Sequence, residues 1–261
     1  MSRALLFLVL LLLARPGEAR ELRVCADPNN MPFSNAREEG FENKIVRLVA
    51  ADLGAELHYV WWAQRRGNVR ETLNADRCDL IPGVASGLEM LATTRPYYRS
   101  TYVVVSRAGP LADLTSLDDA RLTRLRIGVQ IIGDDGSNIP PAHSLSRRGM
   151  ITNVRGYTVY GDYDRDNPQA AIFEAVARGE VDIAFAWGPT AGWFARRSAV
   201  PLHLSPVAPR IDGPSLPMVF DISMGLRRED VALRRDVERV LQARAPEIRK
   251  ILGDFGVPLA E

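Results

Sequence analysis

Leu22-Arg23-Val24-Cys25-Ala26-Asp27-Pro28-Asn29-Asn30-Met31-Pro32-Phe33 opens the stretch that decides the fold. Residues 22–26 read as a strand, and the Asp, Pro and Asn that follow break it into a polar loop. Downstream, Ile45, Leu48, Val49 and Leu53 recur at helical spacing within 42–53, and Gly54 closes the run. Residues 56–62 read as a second strand. Residues 68–75 read as a helix with Val69 and Leu73 on one face, and 78–82 as a third, short strand. Strands alternating with helices in this order predict a parallel sheet with right-handed crossovers.

The series then restarts. Strands are expected at 101–106, 126–130, 156–160 and 181–187, with helices at 117–122, 142–149 and 168–178 between them. A strand at 220–226 and two amphipathic helices within 231–252, interrupted near Pro246, close the chain. The expected class is α/β, with two lobes around a cleft. Ligands of open parallel sheets sit beyond the strands' carboxyl ends, so two facing lobes bring those loops to one cleft that hinge motion can close.

At the amino terminus, Arg3 precedes an apolar run over 4–14 that is too short to span a bilayer, and Pro16, Gly17 and Ala19 follow. This predicts a secretory signal over 1–19, cleaved after Ala19, and a periplasmic product. The chain carries 33 basic and 32 acidic residues. Removing Arg3, Arg15 and Glu18 leaves it close to neutral, which argues against nucleic acid or an anionic membrane surface as partner. No later segment is apolar enough to predict a membrane span. Cys25 and Cys78 are the two cysteines, and in an oxidising compartment an even count favours one disulfide. They lie on the first strand and at the start of the third, which are neighbours in a two-one-three strand order.

Catalytic signatures are missing. There is no Gly-x-Ser-x-Gly elbow, His-Glu-x-x-His, Walker loop or Cys-x-x-Cys, and His58, His143 and His203 stand in unrelated contexts. The loops at 133–138 and 161–167 carry several Asp residues but lack the calcium-loop pattern, and they read as polar turns. No enzyme, no metal site and no cofactor of its own are expected.

An ordered set of segments carries a family resemblance. Val24-Cys25-Ala26-Asp27-Pro28-Asn29-Asn30, Trp61-Trp62-Ala63-Gln64-Arg65-Arg66-Gly67, Pro96-Tyr97-Tyr98-Arg99-Ser100-Thr101-Tyr102, Pro140-Pro141-Ala142-His143, Asn153-Val154-Arg155-Gly156-Tyr157 and Trp187-Gly188-Pro189 span nearly the whole chain. The chain resembles type II periplasmic solute-binding proteins of ABC transporters. More closely it resembles the MoxJ/XoxJ family, solute-binding-like proteins associated with PQQ-dependent methanol dehydrogenases. The resemblance implies a first lobe over 20–104 plus 220–261 and a second over 105–219. It also implies a PQQ-dependent alcohol dehydrogenase, with its cytochrome c acceptor, as the partner system.

Amino-acid-binding members of the wider group place an Arg nine residues before the Pro-Tyr pair and an Asp after the last strand of the second lobe. Here those positions fall on Gly87 and Trp187. Both charge clamps are missing. What stands at strand ends instead is aromatic and basic: Trp62, Arg65, Arg66, Arg95, Tyr97 and Trp187 are the expected recognition residues. Two uses are open. The cleft could serve an accessory protein that docks on or assists the dehydrogenase. Alternatively, it could serve an ABC-transporter-type receptor for a small molecule, such as PQQ or another planar anion.

Overall fold

The computed structural model describes residues 20–65, 67–132, 138–159 and 163–261. The segment 1–19 expected to be a signal, Arg66 and parts of both Asp-bearing loops lie outside these residues. In chain order the elements are β1 (Arg20–Ala26), β2 (Asn29–Asn30), β3 (Ser34–Asn35), α1 (Phe41–Leu53), β4 (Ala55–Trp61), α2 (Asn68–Glu71), β5 (Ile81–Ala85), β6 (Ala92–Thr93) and β7 (Tyr98–Arg107). A 3-10 turn (Ala120–Thr123), β8 (Ile127–Ile131), α3 (Pro140–Arg147), β9 (Val154–Thr158), a second 3-10 turn (Pro168–Ala170), α4 (Ala171–Arg178), β10 (Ile183–Trp187), α5 (Gly188–Ala195) and β11 (Leu202–Pro206) follow. β12 (Ile211–Asp212), β13 (Leu216–Pro217), β14 (Val219–Leu226), α6 (Val231–Ala243) and α7 (Ala245–Asp254) complete the chain.

The parallel pairs are β1 with β4, β8 with β9 and β8 with β10. The expectation of parallel sheets needs correction elsewhere. The third strand begins at Ile81 rather than Cys78; Leu80 just before it bridges Val24 of β1 in parallel, as expected, while the strand itself pairs antiparallel with β14. β7 is one continuous ten-residue strand rather than a new start at 101. Its first residues pair antiparallel with β14, and its later ones with β10 and β11. The crossing between the two halves of the molecule therefore lies inside β7, where Tyr102 N–H donates to Met218 O over 2.8 Å.

Each half has its own apolar core. One is built from residues within 22–98 and 222–257, including Leu22, Val24, Phe41, Ile45, Val49 and Val237. The second half packs on both faces of its sheet, around Leu117, Ile127 and Phe185 on one side and Val105, Ile172 and Val176 on the other. One local device appears in both halves. Asp79 accepts the backbone N–H of Arg23 (3.0 Å) and pairs with its guanidinium, tying the start of β1 to the approach to β5. Asp182 does the same for Arg126 (2.8 Å), tying the start of β8 to β10.

Cys25 and Cys78 form a disulfide with Cα atoms 5.6 Å apart, inside a small cluster with Leu73, Ile81 and Leu91. The backbone of Cys25 also donates to Leu80 O, so bridge and hydrogen bond hold the same two segments.

Candidate functional site

Between the two cores lies a cavity of ≈ 370 Å³, open to one side. The first half contributes Asn30, Phe33, Glu42, Gln64, Gly83 and Tyr98, and the second half Tyr102, Gln130, Gln169, Trp187 and Thr190. Phe220 and Ile222 of β14 complete the wall where the chain crosses back.

Glu42 owes its place to the loop before α1. Gly40 precedes the helix because a side chain there would strike Phe33 O at 1.9 Å. Asn43 Oδ1 accepts the N–H groups of Gly40 (3.1 Å) and Asn35 (3.2 Å), and Glu42 N–H donates to Phe33 O (3.0 Å). Glu42 then falls three, four and seven residues before Ile45, Val46 and Val49, on the face that turns inward. Gly83 leaves room for its carboxyl: a Cβ there would lie 2.0 Å from Oε1. Burial, with Asp27 nearby, pushes the Glu42 carboxyl up to about 8.

Trp187 ends β10, where the sheet opens, and its N–H donates to Gln130 Oε1 over 2.8 Å. Its ring meets Tyr102 (centroids 5.1 Å) and Phe220 (5.9 Å) edge to face. Gly188 lets α5 approach β7 closely, because a Cβ there would lie 2.5 Å from Thr101 O. The loop after β1 reaches the second half. Asp27 Oδ2 accepts from Gln64 N–H (2.8 Å) and Tyr163 O–H (3.0 Å), Asn29 Nδ2 donates to Arg165 O (2.8 Å), and Gln169 donates to Asn30.

The structure scatters the residues expected at the cleft. Trp187 lines the cavity. Trp62 is half-buried beneath Arg77, whose guanidinium lies 5.0 Å from the ring. Arg65 is exposed beside a smaller hollow that shares Gln64, Gly83 and Val84 with the cavity. Arg95 and Tyr97 border a third hollow against α6, where Arg95 N–H donates to Glu238. Tyr97 donates from its hydroxyl to Pro82 O (2.9 Å). Alternation along β7 explains the Tyr97 placement: Tyr98 and Tyr102 share the cavity face, and their neighbour points to the other. Arg66 lies outside the described residues. Glu42, Gln64, Gln130 and Gln169 were not anticipated. The signal for Glu42 was present, as an acid in phase with the apolar face of α1.

Among the described residues, Glu42 is the one acidic side chain on the cavity wall, and no basic side chain lines it. Gly87 is exposed at φ +77° and offers no side chain to a carboxylate. A zwitterionic amino acid would lose several hydrogen bonds and ion pairs on entry, at about 1–3 kcal/mol for each group left without a partner. Calorimetry against the standard amino acids is expected to show no binding at micromolar concentration, and a micromolar affinity for any of them would contradict this.

No protein-family model matches the chain. Curated proteins do. Protein MoxJ of Methylorubrum extorquens is 31% identical over 255 residues, covering 94% of this chain and 83% of that protein. Protein MoxJ of Paracoccus denitrificans is also 31% identical, covering 95% and 93%. Among solved structures, the periplasmic binding protein XoxJ from Methylobacterium extorquens AM1 superposes with a TM-score of 0.75 at 38% identity, over 92% of this chain and 99% of that one. MxaJ from Methlophaga aminisulfidivorans MPT gives 0.77 at 26%, over 92% and 100%. An ancestral cationic amino acid solute-binding protein, 16% identical with a TM-score of 0.69, shares the fold. With the binding-protein fold, the aromatic cavity and this identity along nearly its full length, the chain belongs to the MoxJ family.

Proposed function

We propose that this protein is a periplasmic, non-catalytic, solute-binding-like accessory of a methanol-oxidation system, which docks on or assists a PQQ-dependent alcohol dehydrogenase. In this reading residues 20–104 with 220–261 form one lobe, 105–219 form the other, and the signal is removed after Ala19. The cavity is the observation that carries the proposal. It is walled by both halves, as in a solute receptor, yet its described wall offers neither charge clamp by which amino-acid receptors hold cargo. Family membership supplies the dehydrogenase context. Among the described residues no helix is long and apolar enough to cross a membrane, in keeping with an exported binding protein. The alternative cargo, PQQ or another planar anion, finds no guanidinium on the described wall, so the geometry favours the accessory role.

Trp187 is the residue on which to test it, because its ring forms part of the aromatic cluster at the mouth of both cores. A tagged protein recovered from the periplasm of its own host, grown on methanol, is expected to bring the dehydrogenase with it. Trp187→Ala should weaken that association by about 1–3 kcal/mol while leaving the circular dichroism spectrum unchanged. Equal recovery with the variant would leave Trp187 a packing role only. Absence of the dehydrogenase from both preparations would remove the accessory reading.

A further inference from the structure

Glu42 and Gln169 reach the cavity from opposite halves, and they are only 2% and 4% exposed. One oxygen of each, Glu42 Oε2 and Gln169 Oε1, is buried without a hydrogen-bond partner. The Gln169 amide is oriented by its Nε2, which donates to Asn30 Oδ1, so the oxygen left over is an acceptor. Neighbouring acceptors are already served: Gln64 Oε1 takes Asn30 Nδ2 (3.0 Å), and Gln130 Oε1 takes Trp187 N–H (2.8 Å). Once Glu42 gives up its proton the wall has acceptors in excess, and it then calls for a donor from the ligand. Its electrostatics have the same sign. Asp27 adds negative charge behind Glu42, no cationic side chain lines the cavity among the described residues, and five aromatic rings present faces or edges to it.

We propose that this cavity binds a compact organic ammonium ion. Its N–H groups are donated to Glu42 Oε2 and Gln169 Oε1, and its carbon portion lies against Tyr102, Trp187 and Phe220. At ≈ 370 Å³ the space is at the small end of ligand sites, which run from roughly 300 to 1,000 Å³. The site shares Trp187 with the surface proposed to dock on a dehydrogenase, but ammonium binding is read on the protein alone and stands whether or not docking occurs. Gly83 is part of it, because any side chain there would displace the Glu42 carboxyl.

Binding carries a proton signature. Burial holds Glu42 largely as the neutral acid at neutral pH, with its carboxyl pushed up to about 8. When the ammonium enters, the Glu42 O–H bond breaks, the proton leaves to solvent, and carboxylate and ammonium form the ion pair. The ionisable groups facing Glu42 are Asp27 from the loop after β1, Tyr59 from β4, and Tyr97 and Tyr98 at the start of β7. Burial pushes Tyr59 up to about 12 and the other two tyrosines well above their ordinary value, so all three keep their protons throughout the test.

The test is titration calorimetry with phenethylammonium, with 2-phenylethanol and phenylacetate as neutral and anionic controls of similar shape. It is run at about pH 7 in two buffers of different ionisation enthalpy, and again at about pH 9. The ammonium ion is expected to bind at least about tenfold more tightly than the alcohol, and phenylacetate not at all. Close to one proton should be released per ligand at pH 7 and almost none at pH 9. Glu42→Gln should lose the proton release and at least about tenfold in ammonium affinity, with little change for the alcohol. If that variant does not fold, the proton release of the wild type alone decides. The proposal is overturned by no ammonium binding at millimolar concentration, by equal binding of the alcohol, by preference for phenylacetate, or by binding without proton release at pH 7.

Discussion

Replacing Cys25 and Cys78 together with alanine should lower the unfolding free energy by about 4 kcal/mol, measured by urea titration against the oxidised protein. The bridge closes a separation of 53 residues, and in the chain-entropy treatment a loop of that size restricts the unfolded ensemble by about this amount. The two side chains are 2% and 0% exposed, so truncation also removes packing against Leu73 and Ile81. The double variant should still unfold in one cooperative step for this half, because β1 keeps its ladder with β4 and its backbone bond to Leu80. Reducing the wild type should move stability in the same direction. A change below about 1 kcal/mol would show that strand pairing alone fixes these segments.

Glu42 should make stability fall as the solution becomes more alkaline. Its folded-state carboxyl titrates at about 8 against an ordinary value of 4.5, because burial disfavours the charged form. Below pH 4.5 both folded and unfolded chains hold the proton, and this group contributes no pH dependence. Between the two values the folded chain holds it and the unfolded chain does not, so unfolding stability declines across that window. The gap corresponds to roughly 5 kcal/mol in all at about 1.4 kcal/mol per pH unit. Glu42→Gln removes this slope. Above pH 8 the variant should exceed the wild type by about 2–5 kcal/mol, the lower figure allowing for an amide still short of partners. Chemical unfolding at several pH values from 4 to 9 tests this, and parallel curves for the two proteins would contradict it.

The parts of the fold that could be read from sequence are those in which periodicity and burial coincide. β1, α1 and β4 fall within one or two residues of the pattern, and Gly54 caps α1 in the left-handed conformation at φ +61°. β7 was harder because it serves both halves. Its near-complete burial gives an apolar run without a period, and nothing local marks the change of partner between Thr101 and Tyr102. α5 escaped notice for a related reason. Gly188 and Gly192 lower its helix propensity, and the helix exists because those two glycines let it press against β7 and Gly256.

At the site, the end of β10 places Trp187 on the cavity wall, as its position in the sequence suggests. Arg65 and Arg95 lie off the cavity wall, because long charged side chains turn towards water when no buried anion holds them. The residues that line the cavity instead are amides and one acid, whose role depends on contacts between segments more than a hundred positions apart, such as Asn30 with Gln169.

Whether this protein docks on a PQQ-dependent dehydrogenase is decided by direct binding between the two purified proteins. Surface-immobilised wild-type chain is to be exposed to the PQQ-dependent dehydrogenase of the same host, with and without its cofactor. Saturable binding at micromolar concentration or tighter is expected, stronger for the cofactor-free form and weakened by Trp187→Ala. No binding of either form at tens of micromolar would contradict it.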